Sequence, residues 1–334
     1  MTLVKFPDYI KIEKTRFNAD ILNIDFENIS NNVININDKE YLFNNLSNNG
    51  NKGGNSIILK LYSVDEAADI EAFDDITPIA ILKILKFPFK KRSLKGRVTN
   101  EYTSTHKRFL NEIDALNKSK ELKNENVIEV YDDGECIINK WHYLFYSMEV
   151  ADYDLKSYIE EKHGGLQFEN KVLFCLELLD GINQLDNAIF YHRDIKPDNI
   201  FFANGKWKLG DLGLVDGKDL NYRFNEEGKF IGPRGWASPE VMNKYLSEKK
   251  GFKYNYDCRI DHQSDIFQLG KVFWYIFQYN APIGNIHFHD FNRENERVFW
   301  ILRKMLHHSK LRRFHKVSTI IPLFQKINQE CIIG

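Results

Sequence analysis

Apolar and polar positions alternate in short strips along the first half of the chain, then settle into helical spacing in the second. Residues 41–62 read as apolar segment, Gly/Asn-rich turn, apolar segment: YLFNNL, SNNGNKGGNS and IILKLYS. That order predicts a hairpin around a flexible turn. Residues 79–87 (IAILKILKF) are β-branched and apolar, as a strand requires. Across residues 102–122 the apolar side chains Phe109, Leu110, Ile113 and Leu116 recur at helical intervals, which gives a helix one apolar face. Two more strands are expected at 127–131 and 141–150.

Beyond residue 150 the balance shifts. Helical periods run over 155–160, 172–185, 265–279 and 297–307, with short strand pieces at 200–202 and 207–209. A strand-rich part followed by a helix-rich part is an α+β arrangement with two lobes, joined near 149–154. Residues 1–40 show no clean period and are expected to be an irregular or partly helical extension. The acidic stretch 65–75 and the basic stretch 90–97 read as a solvated connection and a turn.

Composition narrows the function classes. The 334 residues, 43% hydrophobic, suffice for one large domain or two lobes. With 46 Lys plus Arg against 47 Asp plus Glu, the formal charge is −1, which excludes an overall basic field for wrapping nucleic acid, though not a local patch. No apolar run approaches the roughly 18 residues a membrane span needs, and the first residues lack the apolar stretch of a signal peptide. Cys136, Cys175, Cys258 and Cys331 are far apart with no CxxC, so a reduced, cytoplasmic chain is expected, a secreted effector staying open.

Three segments carry the chemistry: His192-Arg193-Asp194-Ile195-Lys196-Pro197-Asp198-Asn199, Asp211-Leu212-Gly213 and Ala237-Ser238-Pro239-Glu240. Together they resemble the eukaryotic-type protein kinase superfamily, the first matching its catalytic loop HRDxKxxN position by position. Ser238 stands where that family has a small alanine. The resemblance extends over roughly residues 41–330. It implies a bilobal α+β fold, with a β-rich N-lobe over 41–150 and a helical C-lobe over 151–334. It also implies Mg²⁺-dependent transfer of the ATP γ-phosphate to a Ser/Thr hydroxyl of a protein substrate.

The reaction concentrates negative charge, so oxygen ligands for magnesium, cations and positioning do most of the catalysis. By resemblance, Asp211 and Asn199 hold Mg²⁺, Asp194 orients the incoming hydroxyl and accepts its proton, and Lys196 contacts the moving phosphate. Lys83 fits the strand lysine that binds the α/β phosphates, with Lys86 as competitor. Glu112 fits its helix partner, with Glu121 as competitor. Met148 guards the back of an adenine pocket, Glu149 and Ala151 offer it backbone groups, and Asp154 meets the ribose. The glycine-rich loop departs from GxGxxGxV: the best register, Gly50-Asn51-Lys52-Gly53-Gly54-Asn55, keeps the first glycine and puts Lys52 and Asn55 at the other two. A mobile hairpin turn explains it equally well.

Between Asp211 and Trp236 there is no Ser or Thr. The usual loop phosphorylation, which gives the arginine before the catalytic aspartate a dianion, is therefore closed to those hydroxyls. Arg193 is present nonetheless: Glu226 and Glu227 are candidates for a permanent carboxylate partner, and Tyr222 is a candidate for modification. The missing hydroxyls imply activity without Ser/Thr phosphorylation of this loop. Pro233 replaces the threonine that normally bridges Asp194 and Lys196, while Lys196 itself favours Ser/Thr acceptors. Asp265 matches the helix aspartate that props the catalytic loop, and Arg313 matches the partner of Glu240. Asn199-Ile200-Phe201-Phe202 and the residues around Asp211 look most like the branch of Wee-type and initiation-factor kinases. Two other readings stay open: a pseudokinase scaffold, suggested by the altered glycine loop and Pro233, and a small-molecule phosphotransferase, which would lack the Ala-x-Pro-Glu segment.

Overall fold

The computed structural model describes residues 4–5, 10–14, 20–24, 33–46, 54–64, 76–92, 98–100, 103–138, 141–162, 165–217, 230–250, 256–291 and 295–333. The chain divides into two compact units, one of Met1–Ile113 with Glu129–Val150, the other of Asp114–Ile128 with Ala151–Gly334. The α+β expectation holds: strands dominate the first unit and helices the second.

In the first unit the strands are β1 (Val4–Lys5), β2 (Ile10–Lys14), β3 (Asp20–Ile24), β4 (Val33–Ile36), β5 (Lys39–Asn45), β6 (Ser56–Ser63), β7 (Ala80–Leu85), β8 (Lys90–Arg92), β9 (Val98–Asn100), β10 (Val130–Ile138) and β11 (Trp141–Met148). All but β2 and β3, which pair with each other, join one antiparallel sheet in the order β1-β4-β5-β6-β7-β11-β8-β9, with β10 on β11. Period-two alternation sends Ile57, Leu59 and Leu61 of β6 and Ala80, Leu82 and Ile84 of β7 into a shared core with Phe43, Tyr143 and Phe145. Lys83, between two of those core positions, is left on the other face. The expected hairpin is β5–β6, with Tyr41 opposite Ser63.

Several expectations need correction. The described parts of residues 1–40 are strands, neither irregular nor helical; the core takes Leu22, Ile34 and Ile36 from them. Polar Asn and Asp between these apolar residues blurred their alternation. The basic turn at 90–97 begins as β8, which pairs with β9. The strand expected at 127–131 starts at Val130 and runs on to Ile138, through Asp132, Asp133 and Glu135, whose polarity hid it. Residues 65–75 lie outside the described part.

The helices are α1 (Ser104–Glu121), α2 (Leu155–Lys162), α3 (Phe168–Asn187), α4 (Pro239–Lys250), α5 (His262–Gln278), α6 (Glu296–Met305) and α7 (Ile321–Ile333). The start of α5 is fixed by a capping box: Asp261 accepts from the Gln263 amide and Ser264 Oγ accepts from the Asp261 amide. Most residues of that helix are buried, so it serves as the second unit's central post. Small antiparallel sheets lie in the same unit: β12 (Tyr153–Asp154), β14 (Ile200–Ala203) and β15 (Lys206–Leu209) form one, β13 (Phe190–Tyr191) and β16 (Asp216–Gly217) the other.

Candidate active site

In the first unit, β7 and β11 are paired so that Lys83 lies opposite Tyr146. Lys83 Nζ donates to Glu112 Oε1 on α1 at 2.8 Å, and the Tyr146 hydroxyl donates to the same oxygen at 2.9 Å. The Lys83 ammonium also lies 5.4 Å from the Tyr146 ring centroid, within cation–π range. Glu112 is buried, so its charge depends on these partners. Sequence reasoning missed Tyr146, which reads as an ordinary strand aromatic; strand register is the signal that would have found it.

The competing lysine has other work. Lys86, just past the end of β7, donates from its Nζ to the Gly54 carbonyl at 3.3 Å, and its amide donates to the Asn55 carbonyl at 2.8 Å. It pins the base of the β5–β6 turn. Gly50, Lys52 and Gly53 lie outside the described residues. Gly54 has φ +97°, a conformation suited to glycine. Glu121, the other competitor for Glu112, pairs on the surface with Lys118.

The remaining nucleotide candidates fall on both units. Met148 is half-buried at the end of β11. Glu149 is tied to Glu129 twice, its amide donating to the Glu129 carbonyl at 3.0 Å and its Oε1 accepting from the Glu129 amide at 2.7 Å. Ala151 is half-buried at the start of the second unit. Asp154 caps α2, accepting from the Ser157 amide at 2.8 Å and its hydroxyl at 2.7 Å. A carboxylate has further lone pairs beyond those two.

The second unit assembles the candidate catalytic loop, residues 192–199. Asp194 is buried, and Asn199 Nδ2 donates both to its Oδ2 and to its carbonyl, each at 2.9 Å. Lys196 Nζ lies 3.8 Å from Asp194 Oδ2. Burial pushes the Asp194 carboxyl up to about 6, Asp211 adding to the rise while Lys196 and Asn199 oppose it. Asn199 ends a one-turn helix begun by Pro197, whose fixed φ suits that position. The Gly210 amide donates to the Asn199 carbonyl at 2.9 Å, which ties the start of the Asp211 segment to the loop.

Behind the loop, Asp265 on α5 accepts from the His192 amide (2.8 Å) and the Arg193 amide (2.9 Å). Burial raises its carboxyl to about 7 despite those bonds. His192 is driven the other way, to about 4, again by burial first, and so stays neutral. Gln268 grips the same loop, its Oε1 accepting from the Ile195 amide and its Nε2 donating to the Arg193 carbonyl, both at 3.2 Å. Gly232 is needed here: with φ +107°, a β-carbon would also sit 2.9 Å from the Arg193 carbonyl oxygen.

Arg193 has a clear partner among the described residues. Its buried guanidinium pairs with Asp216 of β16 at 3.0 Å, a residue not among the candidates. Glu226, Glu227 and Tyr222 lie outside the described residues. Pro233 is buried and accepts from the Trp236 amide at 3.1 Å; having no hydroxyl, it leaves Lys196 to face Asp194 without a threonine bridge. Deeper in the unit, Arg313 makes a bidentate pair with Glu240 (2.9 and 3.3 Å) and donates to the carbonyls of Gln263, His307 and His308. Among the described residues, no three His, Cys, Asp or Glu side chains are gathered as a metal cluster.

Residues 88–332 match the family model described as the protein kinase domain. Curated relatives match shorter stretches. The dual specificity protein kinase TTK of Mus musculus is 23% identical over 184 residues, 55% of this chain and 21% of that protein. Cyclin-dependent kinase 14 of Oryctolagus cuniculus is 34% identical over 102 residues, 30% of this chain and 21% of that protein. Cyclin-dependent kinase F-3 of Oryza sativa subsp. japonica is 26% identical over 133 residues, 40% of this chain and 28% of that protein. The match thus spans about a fifth to a quarter of the length of these relatives.

Proposed function

Because the chain belongs to the protein kinase domain family, we propose that it transfers the γ-phosphoryl group of ATP to a serine or threonine hydroxyl of a protein, with Mg²⁺ as cofactor. The observation that carries this reading is the catalytic loop: a buried Asp194 held by Asn199, with Lys196 at 3.8 Å. A carboxyl near 6 is mostly ionised at neutral pH yet basic enough to take a proton from a hydroxyl. Lys196 supplies a cation beside it for the phosphate in flight, and its presence supports a Ser/Thr acceptor.

The donor set fits magnesium. Asn199 commits its amide nitrogen to Asp194, so its amide oxygen is the atom that would meet a cation, and Asp211 adds an exposed carboxylate. Magnesium is usually held by one or two protein oxygens with phosphates and waters completing the shell, so a three-residue cluster is not required. Bound there, it would neutralise charge on the phosphates. Lys83, oriented by Glu112 and Tyr146, is equipped to take the α/β phosphates.

The test is Mg²⁺-dependent transfer of labelled phosphate from ATP to a generic basic protein, compared with Asp194→Ala. Transfer by wild type and its loss in the variant are expected. Transfer that survives the substitution would refute the catalytic assignment, and ATP binding without transfer in wild type would favour a scaffold.

A further inference from the structure

Arg193 is held at three points. Asp265 takes its amide, Gln268 its carbonyl, and Asp216 its guanidinium. The last of these joins two segments that matter for chemistry. Asp216 lies five residues after Asp211, and in the β13–β16 pair it sits opposite Tyr191, two residues before Arg193. The ion pair therefore ties the segment after the metal-ligand candidate to the segment that carries the base candidate. Gly217 makes the approach possible, since a β-carbon there would lie 2.8 Å from the Ile189 carbonyl oxygen and from the Phe190 ring.

The pair is also buried on the side that counts: the Arg193 side chain is 5% exposed, Asp216 25%. A guanidinium that deep needs a counter-charge. Phosphorylated loops supply one as a dianion added after synthesis. Here the counter-charge is written into the chain, and residues 211–236 carry no serine or threonine, Tyr222 being the one side-chain hydroxyl among them.

Resting on the proposed kinase function, we propose that Asp216 is a positioning residue: its carboxylate does for Arg193 what an added phosphate does elsewhere, and holds the catalytic loop assembled without covalent modification. It touches no reacting atom and acts through Arg193 on Asp194.

The test uses the full chain, phosphatase-treated, in four forms: wild type, Asp216→Asn, Asp216→Glu and Arg193→Met combined with Asp216→Asn. Phosphatase-treated wild type is expected to keep its activity. Asp216→Asn should lower kcat by about a hundredfold, the scale of a displaced catalytic group, with KM for ATP little changed. Asp216→Glu should restore part of the loss, and the double variant should be no worse than Asp216→Asn, because the two residues act as one unit. Hydrogen exchange gives a readout independent of turnover: Asp216→Asn should speed exchange at the His192 and Arg193 amides. Loss of activity on phosphatase treatment, wild-type kcat in Asp216→Asn, or a double variant clearly worse than Asp216→Asn would overturn the proposal. If wild type transfers no phosphate at all, the kinase reading falls, and exchange alone decides the clamp: unchanged protection in Asp216→Asn refutes it.

Discussion

Replacing Asp194 with asparagine should abolish phosphate transfer and make the protein more stable. The carboxyl is raised from its ordinary 3.8 to about 6, burial being the largest cause. An acid whose folded pKa lies above its unfolded one contributes most stability when protonated and loses it as pH rises. The loss begins near the unfolded value, is about half complete at pH 5 and is full above about pH 7. A rise of about two pH units corresponds to roughly 3 kcal/mol. Asparagine keeps an oxygen to accept from Asn199 Nδ2, whose bond to Asp194 is 2.9 Å. It deprives Lys196 of a neighbour 3.8 Å away, a contact worth less than about 1 kcal/mol for a partly solvated lysine. The net gain for Asp194→Asn is therefore about 2 kcal/mol, a few degrees in Tm. Urea or thermal unfolding of both proteins across the acid-to-neutral range measures it. The gap should be widest at neutral pH and close as pH falls toward 4. A variant no more stable than wild type at neutral pH, or a gap that ignores pH, would refute the claim that burial sets this carboxyl.

Tyr146→Phe removes a donor to a buried Glu112 oxygen and should cost about 1–3 kcal/mol and weaken ATP binding; calorimetry checks both. Arg313→Met strands the buried Glu240 and should cost about 3–5 kcal/mol, much of it recovered when Glu240→Gln is added; urea unfolding of the two variants measures the recovery. Gly217→Ala forces a β-carbon against Ile189 and Phe190 and should cost about 1–3 kcal/mol, with loss of protection at the β13–β16 pair in hydrogen exchange.

How far the sequence reached follows from what each feature depends on. The strands β6 and β7 and the helix α1 were legible because burial imposes a period on consecutive residues. The helices α4 and α7 were not, since each buries a thin face: Val241 in the first, Phe324 and Ile327 in the second. The candidate catalytic loop was legible as a string because its members are adjacent in the chain and their spacing carries the resemblance. Asp216 was not, although it stands in the same segment as Glu226 and Glu227. Its meeting with Arg193 depends on a two-residue strand and on the space a glycine leaves, and neither marks itself in a linear pattern. Tyr146 shares that fate, because its partner lies 34 residues away on a helix.

Three of the eight non-glycine residues with positive φ among the described residues lie where those long-range ties converge. Ile189, Arg193 and Asp211 have φ of +63°, +67° and +55°, left-handed values that side chains rarely adopt. For a β-branched isoleucine the penalty is largest, and such residues cost about 1–3 kcal/mol each. They persist only where neighbours over-determine them. Asp265 and Gln268 hold the backbone of the loop, β13–β16 fixes the residues after Ile189, and the Gly210 amide is tied to Asn199 just before Asp211. Left alone, each strained residue would relax toward an ordinary φ, and Arg193 would carry Asp194 with it. The network of buried polar contacts in the second unit therefore keeps a strained loop in place. That explains why so many of its members, from Glu240 to Gln268, are buried and polar although none of them is adjacent in sequence to Asp194.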